Sequence, residues 1–268
     1  MQPFDKRGLG LVSCGFMGKA LLEGWMARGI ASDSIFVRDP NPSDWLRARD
    51  DLNLNADFPT DLAALVIATK PQILDRVLPD LTQFGNGQTV VVSIAAGAPV
   101  SLFETHLGTE TPVVRVMPNQ PAAVGAGVTA LFANAATDAD PIRLVRDLFE
   151  TVGTVVDLPE EDLLHVVTGL SGSGPAYVFA VAEALAEAGT QLGIPADLAR
   201  VLALQTVAGA GAMLGRPGAD ATALRKAVTS KGGTTAAGLG PLRTTGALND
   251  LMRRSVDAAR QRSVELSQ

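Results

Sequence analysis

Residues 9–29 read LGLVSCGFMGKALLEGWMARG. A short apolar run occupies 9–13, and a helical pattern at 16–28 follows, ended by Gly29. A strand that turns into a helix through glycines is the opening unit of a dinucleotide-binding fold. Such a turn asks for glycine at its first, third and sixth positions, so that N–H groups at the helix N-terminus can meet a pyrophosphate. Ser13 stands at the first position, and Gly15 and Gly18 at the other two, with Phe16 and Met17 between them. Gly15 permits close backbone approach, and Gly18 lets the helix pack on the strand. The same turn also serves as a plain strand-to-helix link, so alone it leaves both readings open. Cys14 reads as a reactive thiol at a positive helix end or, in preference, as a small residue between turn positions.

Working outward, strands are predicted at 34–38, 62–69, 89–94, 113–116 and 127–131, the second of them stopped by Lys70-Pro71. Helices are predicted at 73–81, 100–107 and 141–151. Near-continuous apolar strands alternating with helices indicate a parallel sheet covered on both faces. After Leu158 the strand signal stops. Helices follow, separated by SGSGP, GRPG, SKGG and TTG. The fold class is therefore α/β: a Rossmann-type parallel-sheet domain over 1–158, then an all-helical domain over 159–268, with the boundary near 155–160.

Composition narrows the chemistry. The 268 residues are 47% hydrophobic and 19% charged, which excludes extended disorder. Lys and Arg number 22 against 28 Asp and Glu, and the net charge of −6 argues against nucleic acid or an anionic membrane as partner. One cysteine excludes a disulfide within the chain and a cysteine-based metal site, and two histidines leave little room for a zinc enzyme or a Ser-His-Asp hydrolase. The longest apolar stretch, 175–195, carries Glu183, Glu187 and Gln191, so it reads as a buried or subunit-facing helix rather than a membrane span. The N-terminus shows no signal-peptide pattern, and the expected location is the cytoplasm. No metal is expected.

Two further places carry chemistry. At the end of the second predicted strand Arg38 and Asp39 stand side by side. An acid there would take the ribose hydroxyls of NAD, whereas an arginine accommodates the 2′-phosphate of NADP. Arg38 is a fixed cation with a fork suited to phosphate, so NADP is the leaning, while an exposed Arg38 beside a turn-capping Asp39 is the plainer possibility. In the helical half, TGLSGSGPAY at 168–177 and VTSKGGTT at 228–235 each open a helix. Two glycines before a helix, flanked by hydroxyl residues, present N–H groups to a carboxylate; an ordinary capped helix start has the same look.

With these segments in view the sequence resembles the pyrroline-5-carboxylate reductase family over nearly its whole length. The resemblance is carried by the glycine turn with Met17-Gly18, by Ala68-Thr69-Lys70-Pro71 (similar to the family's AVKP), by Ser93-Ile94-Ala95-Ala96-Gly97, by RVMPNQP at 115–121, and above all by LSGSGPAY and VTSKGGTT. It implies NAD(P)H-dependent reduction of 1-pyrroline-5-carboxylate to L-proline, the last step of proline synthesis. It implies a helical domain that builds a homodimer, with possible assembly into rings of dimers, and a partner subunit that contributes to the active site. Carried over by the motifs, Ser230, Gly232, Gly233 and Thr234 receive the substrate carboxylate, and Thr235 sets its hydroxyl near the imine nitrogen. Ser13, Gly15, Phe16, Met17, Gly18 and Arg38 line the cofactor, Ala68, Lys70 and Pro71 its ribose–phosphate side, and Ala95, Gly97 and Asn119 its nicotinamide end.

This chain departs from the family pattern at Ser13 for glycine, Phe16 for asparagine, Gln120 for threonine and Lys231 for proline, and its 55–61 stretch is short. His165 and Tyr177 read as packed residues, and the arginines at 253, 254, 260 and 262 as a solvated, ion-paired face. Two alternatives stand beside the reductase. One is a related imine or β-hydroxyacid reductase, disfavoured because neither Lys226 nor Lys231 sits mid-helix. The other is a non-catalytic NADP-binding regulator on the same fold, disfavoured by the presence of Thr234 and Thr235.

Overall fold

The computed structural model describes residues 2–267; Met1 and Gln268, the outer ends of the two expected domains, lie outside the described residues. Two compact units divide the chain. Residues up to Gly172 form the first together with those from Ala258 onward, and Ser173–Asp257 form the second.

In the first unit a helix not foreseen from sequence, α1 (Gln2–Arg7), precedes β1 (Leu9–Val12) and α2 (Phe16–Ala27). There follow β2 (Ile35–Arg38), the single turn α3 (Asp44–Arg47), β3 (Asn53–Leu54), β4 (Ala64–Ile67) and the single turn α4 (Leu74–Val77). The unit continues with β5 (Val90–Ser93), α5 (Val100–Leu107), β6 (Val113–Met117), β7 (Gly127–Ala133), α6 (Ala139–Glu150), β8 (Gly153–Asp157) and α7 (Leu163–Val167). The expected regular helix at 73–81 is instead α4 followed by a 3₁₀ segment, Leu78–Phe84. Pro79 lacks the N–H that an α-helix would need there.

The eight strands form one sheet in the order β3-β2-β1-β4-β5-β6-β7-β8. All neighbours pair in parallel except β6 with β7, so the expected all-parallel sheet gains a reversed edge. The connection 118–126 is too short for a parallel crossover, which takes about a dozen residues or more. Alternate strand residues feed two cores. Leu9, Leu11, Val66 and Val92 pack on one face with Leu21, Leu22 and Trp25; Val12, Leu65, Ile67 and Val91 pack on the other with Leu74, Leu78 and Phe103. Each such side chain taken from water stabilises the sheet by roughly 1.5–3 kcal/mol before entropy is counted. Strand order reverses between β1 and β4, and the crevice beyond the carboxyl ends of those two strands is where this architecture receives ligands.

The second unit is helical. A π-helical turn, Thr168–Gly172, leads out of α7, where sequence suggested a break. Then come α8 (Gly174–Gln191), α9 (Ala196–Leu214), α10 (Ala221–Ala227), α11 (Thr234–Arg243) and α12 (Ala247–Glu265), whose last residues belong to the first unit. A four-residue link, 192–195, folds α9 back beside α8. Of the described residues in these two helices only Ala182, Ala199 and Ala203 are buried. Val178, Phe179, Val181, Leu185, Leu198, Val201, Leu202 and Leu204 all lie exposed. No helix among the described residues is long and apolar enough to cross a membrane.

Candidate functional site

Register assembles the first half of the site. Val12 lies beside Arg38 on one side and Ile67 on the other, so three strands end at one level. Their ends and continuations, Ser13–Gly18, Arg38–Pro40 and Ala68–Lys70, line a cleft of about 1110 Å³ together with Asn41, Ser43 and Asn55. Ser13 takes φ 72° and donates its N–H to the Arg38 carbonyl at 2.8 Å, adopting the left-handed turn at a position where the motif asks for glycine. Gly18 is needed for space: a Cβ there would lie 2.9 Å from the Ser13 carbonyl oxygen. Gly15 faces open space and starts α2 without a capping side chain, so that helix end is presented to the cleft. Phe16 is largely exposed at the same end.

Asp39 is occupied by the protein itself. Its Oδ2 accepts the Cys14 N–H at 2.7 Å, and its Oδ1 accepts the Asn41 N–H at 2.8 Å. Asn55, in the left-handed region at φ 56°, clamps the Asp39 backbone: its Oδ1 accepts the N–H at 2.8 Å and its Nδ2 donates to the carbonyl at 3.0 Å. Sequence reasoning left Asn55 without a role; an Asn at a tight loop position, tolerant of that conformation, was the available signal. Arg38 extends its guanidinium over the Phe58 ring, 4.3 Å from the centroid, and remains the cation of this wall. Burial first, then the Asp39 and Glu23 carboxylates, push the Cys14 thiol up to about 12, the state of an inert packed residue.

The other positions divide between this cleft and its surroundings. Thr69 was quoted in its motif but given no role; it is 5% exposed, and its Oγ1 is buried with no hydrogen-bond partner among the described residues. Pro71 lies outside the cleft, on a groove shared with Gly97 and the end of α12. Ala95 is buried, and Gly97, at φ +80°, sits where a Cβ would come 3.3 Å from the Ser263 carbonyl oxygen. Asn119 pins two segments, its Oδ1 accepting the Val128 N–H at 2.9 Å and its Nδ2 donating to the Ser171 carbonyl at 3.1 Å. Nearby, Arg115 pairs with Glu161 at 2.6 Å, and the same Glu161 oxygen accepts the Val100 N–H at the start of α5. His165 meets the Ser263 hydroxyl at 2.9 Å, and burial followed by the Arg115 charge holds its imidazole below the usual range.

The second unit holds the other motif. Ser230–Gly233 forms a tight turn, closed by the Gly233 N–H on the Ser230 carbonyl at 3.1 Å, and α11 begins at Thr234. Gly232 has φ +73°, and a Cβ on Gly233 would strike the Ser230 hydroxyl at 2.3 Å. Gly232 is therefore required by the turn, while Gly233, in extended backbone, leaves its space to the Ser230 hydroxyl. No side chain caps α11, and Thr234 and Thr235 stand exposed in its first turn. This is an anion-ready helix start.

An open α/β sheet with a glycine turn at its switch point and a cation on the cleft wall defines a dinucleotide-binding protein; the donors present suit a dinucleotide. Comparison with known proteins makes this particular. A family model described as pyrroline-5-carboxylate reductase dimerisation matches residues 161–266, and one described as NADP oxidoreductase, coenzyme F420-dependent, matches 8–97. The chain is 38% identical to the pyrroline-5-carboxylate reductase of Synechocystis over 96% of this chain and 97% of that one, and 34% identical to that of Pseudomonas aeruginosa over 97% of both. Among solved structures, the Coxiella burnetii pyrroline-5-carboxylate reductase superposes with a TM-score of 0.91 at 33% identity, covering 98% of this chain and 99% of that one. The Plasmodium falciparum pyrroline carboxylate reductase with NADP bound gives 0.84 at 28% identity, with the same coverage. The chain belongs to the pyrroline-5-carboxylate reductase family.

Proposed function

We propose that the chain reduces 1-pyrroline-5-carboxylate to L-proline by hydride transfer from NADPH, as a cytoplasmic homodimer able to assemble into larger rings. The observation that carries the substrate half is the uncapped start of α11 behind the Ser230–Gly233 turn. In this reading Ser230, Gly232, Gly233 and Thr234 hold the substrate carboxylate through hydroxyl and N–H groups. Thr235 hydrogen-bonds the imine nitrogen and keeps the ring in line for reduction. The residues of the cleft would hold a reduced nicotinamide whose hydride would go to the C=N carbon of the imine protonated on nitrogen, so that the amine keeps a proton it already carries. The chain's own part is to bind, orient and exclude water, which suits a site without a strong acid. Ser13, Gly15, Phe16, Met17 and Gly18 cradle the diphosphate, Ala68, Lys70 and Pro71 the ribose–phosphate side, and Ala95, Gly97 and Asn119 the nicotinamide end. Asn119 acts there by fixing the backbone, since its amide already serves Val128 and Ser171.

The preference for NADPH is supported by the fate of Asp39. With both carboxylate oxygens accepting backbone N–H groups, Asp39 is engaged against a ribose diol, and Arg38 is left to meet a 2′-phosphate. The exposed apolar side chains of α8 and α9 support self-association, because a patch of that kind marks a protein interface. The test is oxidation of NADPH and NADH by the purified protein with 1-pyrroline-5-carboxylate, followed by nicotinamide absorbance, with proline as the product assayed. Cofactor binding without oxidation would favour the regulator. In Thr235→Ala, turnover is expected to fall about ten- to a hundredfold, the loss of one hydrogen bond worth roughly 1–3 kcal/mol; unchanged kinetics would remove Thr235 from the mechanism. In Arg38→Ala the KM for NADPH is expected to rise about tenfold while that for NADH stays put.

A further inference from the structure

Thr69 follows β4 at the point where the strand order reverses, and it lines the cleft beside the glycine turn. Its segment is tied to the end of β1 by the Ala68 N–H on the Val12 carbonyl at 2.9 Å. The side chain is 5% exposed, yet its hydroxyl has no hydrogen-bond partner among the described residues. A buried hydroxyl left unpaired destabilises a fold, and valine would fill nearly the same space without that cost. A turn of about 120° at χ1 exchanges hydroxyl and methyl, so presenting the hydroxyl to a ligand in the cleft needs no backbone movement. A threonine hydroxyl can both donate and accept, which matches phosphate oxygens and ribose hydroxyls alike.

We infer that Thr69 is a positioning contact for the ribose–diphosphate backbone of the dinucleotide, an assignment that rests on the nucleotide-binding reading of the cleft. The ribose–diphosphate backbone is common to both cofactors, so such a contact serves NADPH and NADH equally, unlike Arg38. The experiment titrates NADPH and NADH into the wild type, Thr69→Val and Thr69→Ser, and melts each protein without cofactor. Thr69→Val is expected to bind both cofactors about tenfold more weakly and to melt at a higher temperature when free. Thr69→Ser, which keeps the hydroxyl, is expected to stay within about threefold of the wild-type affinity. Unchanged affinities in Thr69→Val together with a lower melting temperature would give the hydroxyl to the fold and overturn the inference. A loss confined to NADPH would also overturn it, by moving the contact to the 2′-phosphate. A wild type that binds neither cofactor would defeat the cleft reading itself, and that result is visible before any variant is made.

Discussion

Cys14 and Asp39 touch through the backbone of one and the carboxylate of the other, and each alters what its neighbour can do. The carboxylate fixes the turn by holding the Cys14 N–H, and its charge helps keep the buried thiol neutral. An unfolded thiol ionises near 9.0, whereas the folded one holds its proton to about 12. Above pH ~9 the native state therefore binds a proton that the unfolded state has released, and stability falls as pH rises through that window. Cys14→Ala is expected to remove about 1–2 kcal/mol of the loss between pH ~9 and ~11, read by urea denaturation at each pH. Residue types alone suggested the preferred, bland role for Cys14. They offered Asp39 as a turn cap, which its bond to the Asn41 N–H is; they did not show its second bond, to the Cys14 N–H, because that one depends on where two distant turns meet. Asn55, sixteen residues beyond Asp39 in the chain, was hidden for the same reason.

Elements with a strong pattern were legible and those held by context were not. Val100–Leu107 forms a helix at its expected bounds, and the runs at Leu9–Val12 and Val90–Ser93 are strands because apolar β-branched and leucine side chains on both faces have no other place to go. By contrast β3 is two residues long, and β8 exposes all but Val155 and the half-buried Gly153, so neither carries a buried-strand signature. The start of α2 was read correctly from its glycines. Its tight fit gives a prediction: Gly18→Ala sets a methyl 2.9 Å from the Ser13 carbonyl oxygen, and the turn must open. NADPH affinity is expected to drop at least about tenfold and stability by about 1–3 kcal/mol, measured by fluorescence titration and urea denaturation. The glycine turn before α11 was equally readable, since Gly232 takes the left-handed conformation that favours glycine.

At the scale of the whole molecule, the two units differ in how they satisfy their apolar residues. The sheet unit buries its own, in two cores, while α8 and α9 leave Phe179, Leu185, Val201 and Leu202 facing outward. Phe179→Asp sets a charge in that surface and is expected to convert a dimer into monomers, read by light scattering at fixed concentration. The division between the units was the part of the architecture least visible in sequence, because the pattern simply passes from strands to helices. In space residues 258–267 go back to the sheet unit, where the Ser263 hydroxyl meets His165 and the backbone at Ser263 closes over Gly97. The helical unit is thus an excursion from the other, left and re-entered by one continuous chain. During synthesis the sheet unit must wait for the end of α12 to emerge before His165 meets Ser263 and Gly97 is covered, so the part made first is completed only after the helical unit has been made.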